Sequence, residues 1–324
     1  MKLLILTTKN PYYNLAVEEY LFTDGCDDVI MLWQNEPTVV IGKNQNAYAE
    51  LNLDYVREKG INVARRITGG GAGYHDVGNV NFSFISLNSD KKGIDFGSYT
   101  EPIIEALQRM GVSACLSGRN DILVRDRKIS GNAQYSVRGR VLHHGTLLFD
   151  SDFSVLSEAL RVDEEKIRAK SIKSYRSRVA NIKEFISCDC TVSEFLFMLK
   201  EFFIDKYSPE IIEAPKNEII EKLTKRNASR EWLFPDRSFV SDYTVVKKRR
   251  FNFGSVRLEF FMKNETVEKA LLSGDFFEIK PTEAFLKNFC GKTLAEIKKS
   301  TSDFKIENYI YGMTAEDLSV LLAN

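Results

Sequence analysis

The chain has few cysteines, little glycine and proline, and no long hydrophobic run. Its five cysteines, at positions 26, 115, 188, 190 and 290, are odd in number and show no repeated CxxC spacing. This pattern argues against both a disulfide framework and a structural zinc site. The apolar run near the N-terminus is too short for a signal peptide, and no window reaches the 18 or more apolar residues of a membrane span. We therefore expect a cytoplasmic protein with reduced thiols and no membrane partner.

The chain also has no net charge. Its 324 residues include 45 Lys and Arg against 45 Asp and Glu. A neutral chain has no global positive field to hold nucleic acid, so we expect no nucleic-acid partner. Hydrophobic residues make up 44% and charged residues 28%, as in ordinary globular proteins. This length is typical of two domains, or of one large domain with an appendage.

Short apolar strands and amphipathic helices follow one another without a regular βαβ alternation, which predicts an α+β fold with a large mixed or antiparallel sheet. Residues 29–34 and 38–42, separated by Asn35-Glu36-Pro37, suggest a hairpin, and Asn14 is a plausible helix N-cap. Residues 207–242 are weakly patterned. Beyond them, strands at 243–246, 249–253 and 256–261 precede three helices, at 282–288, 293–298 and 314–322. We place a domain boundary near residue 240, giving residues 1–240 and a smaller unit, 241–324.

The sharpest motif is RRITGGGAGYHD, residues 65–76. Four of the 19 glycines fall between positions 69 and 73, directly after a predicted strand at 61–67. Glycines let backbone N–H groups approach an anion closely, but the motif is neither a Walker A loop nor a GxGxxG fingerprint. Arg65 and Arg66 point to opposite faces of an extended strand, so only one can reach a bound phosphate. The alternative is a flexible turn with solvated arginines.

A second motif combines SGRND, residues 117–121, with DRKISGNA, residues 126–133. Lys128 enters a strand of small residues that leaves room for a ligand, and a lysine suits contact with both a carboxylate and a phosphate. Asp121 could hold Mg²⁺, which needs only one or two protein carboxylates when phosphates are present. The alternatives are a solvent-facing lysine and an aspartate that caps a turn.

The three histidines do not predict a metal site. His143 and His144 are neighbours on a predicted strand and point to opposite faces, and no HExxH spacing occurs. Residues 161–183 form a long polar stretch with a basic run at 169–181. Such a run is usually a solvated face, although on a mobile loop it could close over a nucleotide.

Taken together, these motifs resemble those of lipoate–protein ligases. RRITGGGAGYHD, SGRNDI, DRKISGNA, HHGTLL and KSIKSYRSRVAN occur in the family's order and at similar spacings, and NPYYNLAVEEYLF and TVVIGKNQN are similar too. The resemblance implies a catalytic domain related to biotin–protein ligases and class II aminoacyl-tRNA synthetases, followed by a small α+β accessory domain. It also implies ATP-dependent formation of lipoyl-AMP with Mg²⁺. Transfer to a lysine of a 2-oxoacid dehydrogenase acceptor domain or of the glycine cleavage H protein would follow.

The resemblance also implies roles for particular residues. Arg66 and the run Gly71, Ala72, Gly73, Tyr74 would bind the nucleotide. Lys128 would contact the α-phosphate and the lipoyl carbonyl, and Asp121 would lie near Mg²⁺. Residues 170–179 would form an adenylate-binding loop, and the candidate lining of the lipoate tunnel is Trp33, Val39 and Ile41. The chain departs from the family pattern at Gly73, usually β-branched, at Tyr175, usually small and apolar, and at Lys170-Ser171, usually Lys-Gly.

Two other functions remain open at this point. Related acyltransferases move octanoyl or lipoyl groups without ATP by means of a cysteine nucleophile. Cys115 is the only cysteine in the central motif region, and in the apolar segment SACLSG we expect it to be a buried structural thiol. The other possibility is a non-catalytic binder of lipoyl domains, against which the presence of Lys128 and Arg66 counts.

Overall fold

The structure is a computed structural model that describes residues 1–87, 93–161, 179–235 and 239–323. Its strands are β1 (Lys2–Ile5), β2 (Val29–Trp33), β3 (Thr38–Ile41), β4 (Asn62–Arg65), β5 (Gly73–His75), β6 (Asn79–Ser86), β7 (Cys115–Ser117), β8 (Asp121–Val124), β9 (Arg127–Val137), β10 (Arg140–Leu148), β11 (Glu210–Ile212), β12 (Tyr243–Phe251), β13 (Gly254–Lys263) and β14 (Thr266–Gly274). Its α-helices are α1 (Pro11–Thr23), α2 (Ala47–Glu50), α3 (Leu53–Glu58), α4 (Phe96–Arg109), α5 (Phe153–Ala159), α6 (Val192–Tyr207), α7 (Glu218–Ala228), α8 (Arg230–Leu233), α9 (Glu283–Lys287), α10 (Leu294–Lys299) and α11 (Ala315–Ala323). Short 3₁₀ helices cover Ile182–Glu184, Thr301–Phe304 and Ile306–Asn308.

An eight-stranded sheet forms the centre of the larger part, in the order β11-β1-β2-β6-β10-β9-β8-β7. Strand β1 is parallel to β11 and β2, whereas the pairs from β2 to β7 are antiparallel. Helices α4 and α6 pack on one face of this sheet, and α1 packs on the other. The predicted α+β class with a large mixed sheet is confirmed.

The predicted hairpin of residues 29–34 and 38–42 is wrong. Strand β2 lies between β1 and β6 in the large sheet, while β3 lies in a separate three-stranded sheet, between β4 and β5. All five residues of β2 are buried, as in a central strand whose two edges are both occupied. The tripeptide Asn35-Glu36-Pro37 therefore carries the chain from one sheet to the next.

Helix α1 begins earlier than the sequence predicts. The side chain of Asn10 accepts hydrogen bonds from the backbone N–H groups of Tyr12, at 3.0 Å, and Tyr13, at 3.1 Å, and Pro11 occupies the first turn. Asn14 is not a cap. It is buried inside the helix, where its amide donates to the carbonyl oxygen of Gln34 at 2.8 Å.

The C-terminal part is a three-stranded antiparallel meander, β12-β13-β14, packed against α9, α10 and α11. The three predicted helices are present, but two strand predictions are wrong. Residues 243–251 form one continuous strand, because Lys247 and Lys248 interrupt the apolar pattern without interrupting this edge strand. Strand β14 was missed. Within the described ranges, no helix is both long enough and apolar enough to cross a bilayer.

Candidate active site

The glycine-rich segment, residues 69–73, forms a loop between β4 and β5 that is held by Arg66. The Arg66 guanidinium donates to the carbonyl oxygens of Gly69 at 2.8 Å, Gly71 at 2.7 Å and Val40 at 3.2 Å. Its Nε donates to the Thr68 hydroxyl at 3.0 Å. Burial lowers the pKa of Arg66 to about 10, so the side chain still carries its charge at neutral pH. The loop is thus a defined structure beside a fixed positive charge.

Arg65 points the other way and has a structural role. It is 5% exposed, and its guanidinium donates to five backbone carbonyl oxygens. Two of these belong to Trp232 and Leu233 in α8, and the others to Gly42, Lys43 and Gln45. Of the two adjacent arginines, Arg66 is therefore the one beside the glycine loop.

Lys128 and Asp121 come together across the β8–β9 hairpin. The hairpin turns at Arg125 and Asp126, both with positive φ, which matches the twist of a tight two-residue turn. Lys128 Nζ lies 2.7 Å from Asp121 Oδ1, and each side chain is about one third exposed. A side chain at position 131 would meet Lys128 Nζ at 2.9 Å, so the glycine there leaves room for the ammonium group.

A buried chain of polar contacts lies beside the site, and two of its members, Trp33 and His144, line the cavity. Glu18, on α1, accepts hydrogen bonds from Ser83 Oγ at 2.5 Å and lies 2.9 Å from His144 Nδ1. Trp33 Nε1 donates to the same serine hydroxyl at 3.0 Å, and His144 Nε2 lies 2.8 Å from Thr68 Oγ1. Thr68 in turn accepts from Arg66, so this chain of contacts connects helix α1 to the glycine loop.

Two further titratable groups near the site are held neutral by burial. Burial lowers the pKa of His75 to about 3, and the charges of Arg66 and His144 act in the same direction. Burial also raises the pKa of Tyr74 to about 12, helped by Asp76 and Asp152. Both side chains therefore offer only neutral hydrogen-bonding groups at physiological pH.

One cavity of about 400 Å³ brings these features together. The seven residues that were individually named as nucleotide, catalytic or metal candidates all line it, namely Arg66, Gly71, Ala72, Gly73, Tyr74, Asp121 and Lys128. Sequence reasoning gave no site role to several other lining residues, among them Leu15, Arg119, Asn132, His144, Arg250 and Asp275. Among the described lining residues, four lysines and arginines face two aspartates, a formal excess of two positive charges in a neutral chain. This cavity is suited to an anion.

The candidate lipoate lining is partly wrong. Trp33 lines the cavity, but Val39 and Ile41 pack instead into an apolar cluster behind it, and the intervening Val40 lines the cavity. Side chains alternate across β3, so a shift of one residue exchanges the two faces. The predicted adenylate-binding loop, residues 170–179, lies outside the described residues except for Val179, which also lines the cavity.

Cys115 is not the buried thiol that we expected. It is exposed on β7, the outermost strand of the large sheet, and does not line the cavity. Edge strands leave one side open to solvent, which the apolar residues around this cysteine did not indicate.

The C-terminal sheet closes one side of the cavity. The Gly70 N–H donates to the carbonyl oxygen of Phe276 at 3.0 Å, and Lys43 Nζ lies 2.5 Å from a carboxylate oxygen of Glu278. Arg250 and Asp275, at the ends of β12 and β14, contribute to the lining. The only sequence signal for this contact was the run of basic residues in β12.

The comparisons with known proteins agree with this geometry. The model described as "Lipoyl protein ligase A/B catalytic domain" matches residues 10–204, and "Bacterial lipoate protein ligase C-terminus" matches residues 241–322. The chain belongs to the lipoate–protein ligase family. It is 38% identical to lipoate-protein ligase LplJ of Bacillus subtilis (strain 168) over 326 residues, with 97% of each chain covered. It is 37% identical to lipoate–protein ligase 1 of Staphylococcus aureus (strain Mu50) over 321 residues, again with 97% of each covered.

Solved structures of lipoate–protein ligases share the fold. P. falciparum LipL1 in complex with lipoate matches over 100% of both chains, with a TM-score of 0.82 and 25% identity. Lipoate-protein ligase A bound with ATP matches over 72% of this chain and 98% of its own, with a TM-score of 0.62 and 30% identity. The predicted family and its ligase class are confirmed.

Proposed function

We propose that this ligase activates lipoate with ATP and transfers the lipoyl group to a lysine of an acceptor domain. The observation that carries the proposal is the placement of Lys128, Arg66 and the glycine loop around one positively charged cavity. A cavity with this charge suits a nucleotide, and its end at Trp33 and Leu15 suits an apolar acyl chain. The similar structures of P. falciparum LipL1 in complex with lipoate and of lipoate-protein ligase A bound with ATP support both assignments.

The first step would form the mixed anhydride. A carboxylate oxygen of lipoate attacks the α-phosphorus of ATP, the bond to the β-phosphate oxygen breaks, and pyrophosphate leaves. Charge repulsion opposes the approach of one anion to another. Lys128, which would contact the α-phosphate and the lipoyl carbonyl, and Arg66 would offset that repulsion and stabilise the charge that develops on phosphorus. Gly71, Ala72, Gly73 and Tyr74 would bind the nucleotide.

Asp121 fits a magnesium site in which the protein provides only one or two carboxylates. It is one of the two carboxylates that line the cavity, and the described residues contain no cluster of three or more metal-ligating side chains. Mg²⁺ commonly takes one or two protein carboxylates and completes its shell with phosphates and water. When bound it would supply positive charge to the phosphates, while Lys128 would exchange its contact with Asp121 for one with the substrate.

The second step would complete the transfer. The neutral amine of an acceptor lysine attacks the lipoyl carbonyl, an amide forms, and AMP leaves with the electron pair of the broken anhydride bond. We propose that the acceptors are lipoyl domains of 2-oxoacid dehydrogenase E2 subunits and the glycine cleavage H protein. The match to the bi-partite lipoate protein ligase of Thermoplasma acidophilum, which was analysed together with its E2 lipoyl domain, supports the first. We also propose residues 1–240 as the catalytic domain and residues 241–324 as the accessory domain.

The test is lipoylation of a purified apo E2 lipoyl domain, followed by intact-mass spectrometry. We expect the lipoyl mass increase only with lipoate, ATP and Mg²⁺ together, and not on an acceptor whose target lysine is arginine. An ATP-independent transferase would instead modify the domain from an acylated carrier protein without ATP. Cys115→Ser should leave the ligase reaction unchanged, since Cys115 lies outside the cavity. Loss of activity in a folded Cys115→Ser variant would favour the transferase.

A further inference from the structure

We propose that Arg119 and Arg250 form a subsite for the two phosphates that leave ATP as pyrophosphate. This inference rests on the proposed adenylation reaction. The two arginines come from different parts of the chain, one from the SGRND motif and one from strand β12, and both line the cavity.

Arg119 has an unused hydrogen-bond donor. Its Nη1 atom is buried and has no hydrogen-bond partner among the described residues, and its Nε reaches only Asn120 Oδ1, at a long 3.5 Å. A buried guanidinium nitrogen without a partner costs free energy, so such a group is expected to bind something that the folded chain alone does not provide. The Arg119 side chain lines the cavity, so a small shift of the guanidinium toward a bound anion would give this nitrogen its partner.

Several contacts hold Arg119 in place. Burial lowers the pKa of Arg119, and the carboxylates of Asp275 and Asp121 oppose that effect. The guanidinium carbon lies 4.5 Å from the centre of the Phe277 ring, a cation–π contact with the C-terminal part. The neighbouring Asn120 is fixed to β9, because its carbonyl oxygen accepts from the Asn132 backbone N–H at 3.0 Å. The arginine is therefore preorganised, and binding an anion would require little further ordering.

Arg250 extends the same positive region from the opposite side. Its Nη1 lies 3.2 Å from Ser255 Oγ and 3.8 Å from Asp275 Oδ2, and 57% of its side chain is exposed, so it is free to reach a ligand. Asp275 is the opposing charge, but its other oxygen is occupied by the Ser255 backbone N–H. The four basic lining residues outnumber the two lining aspartates, Asp121 and Asp275, so a net positive charge remains for phosphate oxygens.

The position of this subsite fits the end of a triphosphate. Position 71 of the glycine loop lies 3.8 Å from Asp275, measured from the Cβ that a side chain would have there. The subsite is thus next to the loop proposed to bind the nucleotide, on the side of the C-terminal sheet. A nucleotide bound at the glycine loop and Lys128 would direct its β- and γ-phosphates toward Arg119 and Arg250.

The test compares binding of ATP, inorganic pyrophosphate and AMP by isothermal titration calorimetry, with Arg119→Ala, Arg250→Ala and wild type. Loss of one charge-assisted contact should weaken ATP and pyrophosphate about tenfold to a hundredfold, and AMP less than about twofold. Arg57→Ala is the matched control, since its side chain is 81% exposed on α3, outside the cavity. Unchanged ATP and pyrophosphate affinity in both variants would overturn the subsite, as would equal losses for AMP and ATP.

Two further measurements separate the possible failures. Arg119→Ala could disturb the packing of Phe277, but Arg250 is exposed, so Arg250→Ala tests the subsite in a correctly folded protein. With synthetic lipoyl-AMP as the donor, which carries no β- or γ-phosphate, both variants should lose much less activity than they lose in lipoate-dependent pyrophosphate release. An equal loss in the two assays would contradict a role confined to the leaving phosphates. Absence of lipoate-dependent pyrophosphate release in the wild type would instead refute the proposed function itself.

Discussion

Single buried residues set the pH range in which this protein is stable. Burial lowers the pKa of His143 to about 3, with the charge of His144 acting in the same direction and Asp95 opposing it. His143 is fully buried, and its ring stacks on Tyr99 at a centroid distance of 5.2 Å. The folded state therefore keeps this imidazole neutral, whereas the unfolded chain protonates it below its ordinary pKa of about 6.5.

Stability should consequently fall as the pH falls below about 6.5. The unfolded state binds the extra proton between about pH 6.5 and 3, so each such histidine removes about 1.4 kcal/mol per pH unit in that window. His143→Gln should reduce the loss in unfolding free energy between about pH 6.5 and 5 by about 2 kcal/mol, whatever its effect at neutral pH. Urea unfolding at several pH values measures this. An identical pH slope in wild type and variant would contradict the buried neutral imidazole.

The placement of single residues could be predicted from the sequence where it depends only on the alternation of side chains along a strand. Reasoning of this kind separated Arg65 from Arg66 and brought Lys128 and Asp121 into one site. It could not find the contact between Glu18 and His144, because 126 residues separate them and only the packing of α1 on the sheet brings them together. The exposure of Cys115 was missed for a similar reason, since it depends on β7 being the outermost strand.

At the scale of the structural elements, two glycines of the loop at residues 69–73 are required for different reasons. Gly69 lies against the C-terminal part, where an added Cβ would overlap the carbonyl oxygen of Phe276. Gly71 faces open space, with Asp275 at 3.8 Å as the nearest neighbour of an added Cβ. The first glycine is therefore needed for packing, and we attribute the second to close approach of a ligand.

This difference predicts opposite behaviour of two matched variants. Gly69→Ala should lower the unfolding free energy by about 1–3 kcal/mol, because the overlap forces the backbone to shift. Gly71→Ala should change stability by less than about 0.5 kcal/mol and yet weaken ATP binding. Thermal unfolding and ATP titration of both variants check this. Normal ATP affinity in Gly71→Ala would show that the nucleotide does not approach the backbone there.

The bounds of helices and strands could be predicted where a local sequence pattern marked them. They could not be predicted where they depend on which strands pair with one another. The three C-terminal helices were found from their apolar periodicity. The sequence did not indicate that β2 and β3 belong to different sheets. Two apolar runs separated by a turn have the same sequence pattern whether they pair with each other or with other strands. Strand β14 was missed because its pattern includes two consecutive exposed residues, Glu268 and Lys269.

At the scale of the whole molecule, the C-terminal part contributes to the site as well as packing beside it. It provides a hydrogen-bond acceptor for Gly70, an ion pair to Lys43 and two lining residues of the cavity. Burial lowers the pKa of Lys43, but the carboxylate of Glu278 outweighs burial, and the net effect raises it. Lys43 therefore keeps its positive charge at neutral pH.

Deletion of residues 241–324 should impair lipoyl-AMP formation more than transfer from preformed lipoyl-AMP. The reason is that the deleted part supports the glycine loop and lines the proposed phosphate end of the cavity. Pyrophosphate release and lipoylation from synthetic lipoyl-AMP measure the two half-reactions separately. Circular dichroism of the shortened chain is the control for folding. An equal loss in both half-reactions would indicate a general structural role for this part instead.

The most direct test of the account is lipoate-dependent pyrophosphate release from ATP and Mg²⁺ by wild type and Lys128→Ala. Lys128 is about one third exposed and pairs only with Asp121 among described residues, so its removal should leave the fold intact. We predict release that requires R-lipoate in the wild type and falls at least about a hundredfold in Lys128→Ala. The exposed Lys222→Ala, on α7, should retain it. Near-normal release in Lys128→Ala, or none in the wild type at high lipoate, would contradict an adenylating ligase built around this lysine.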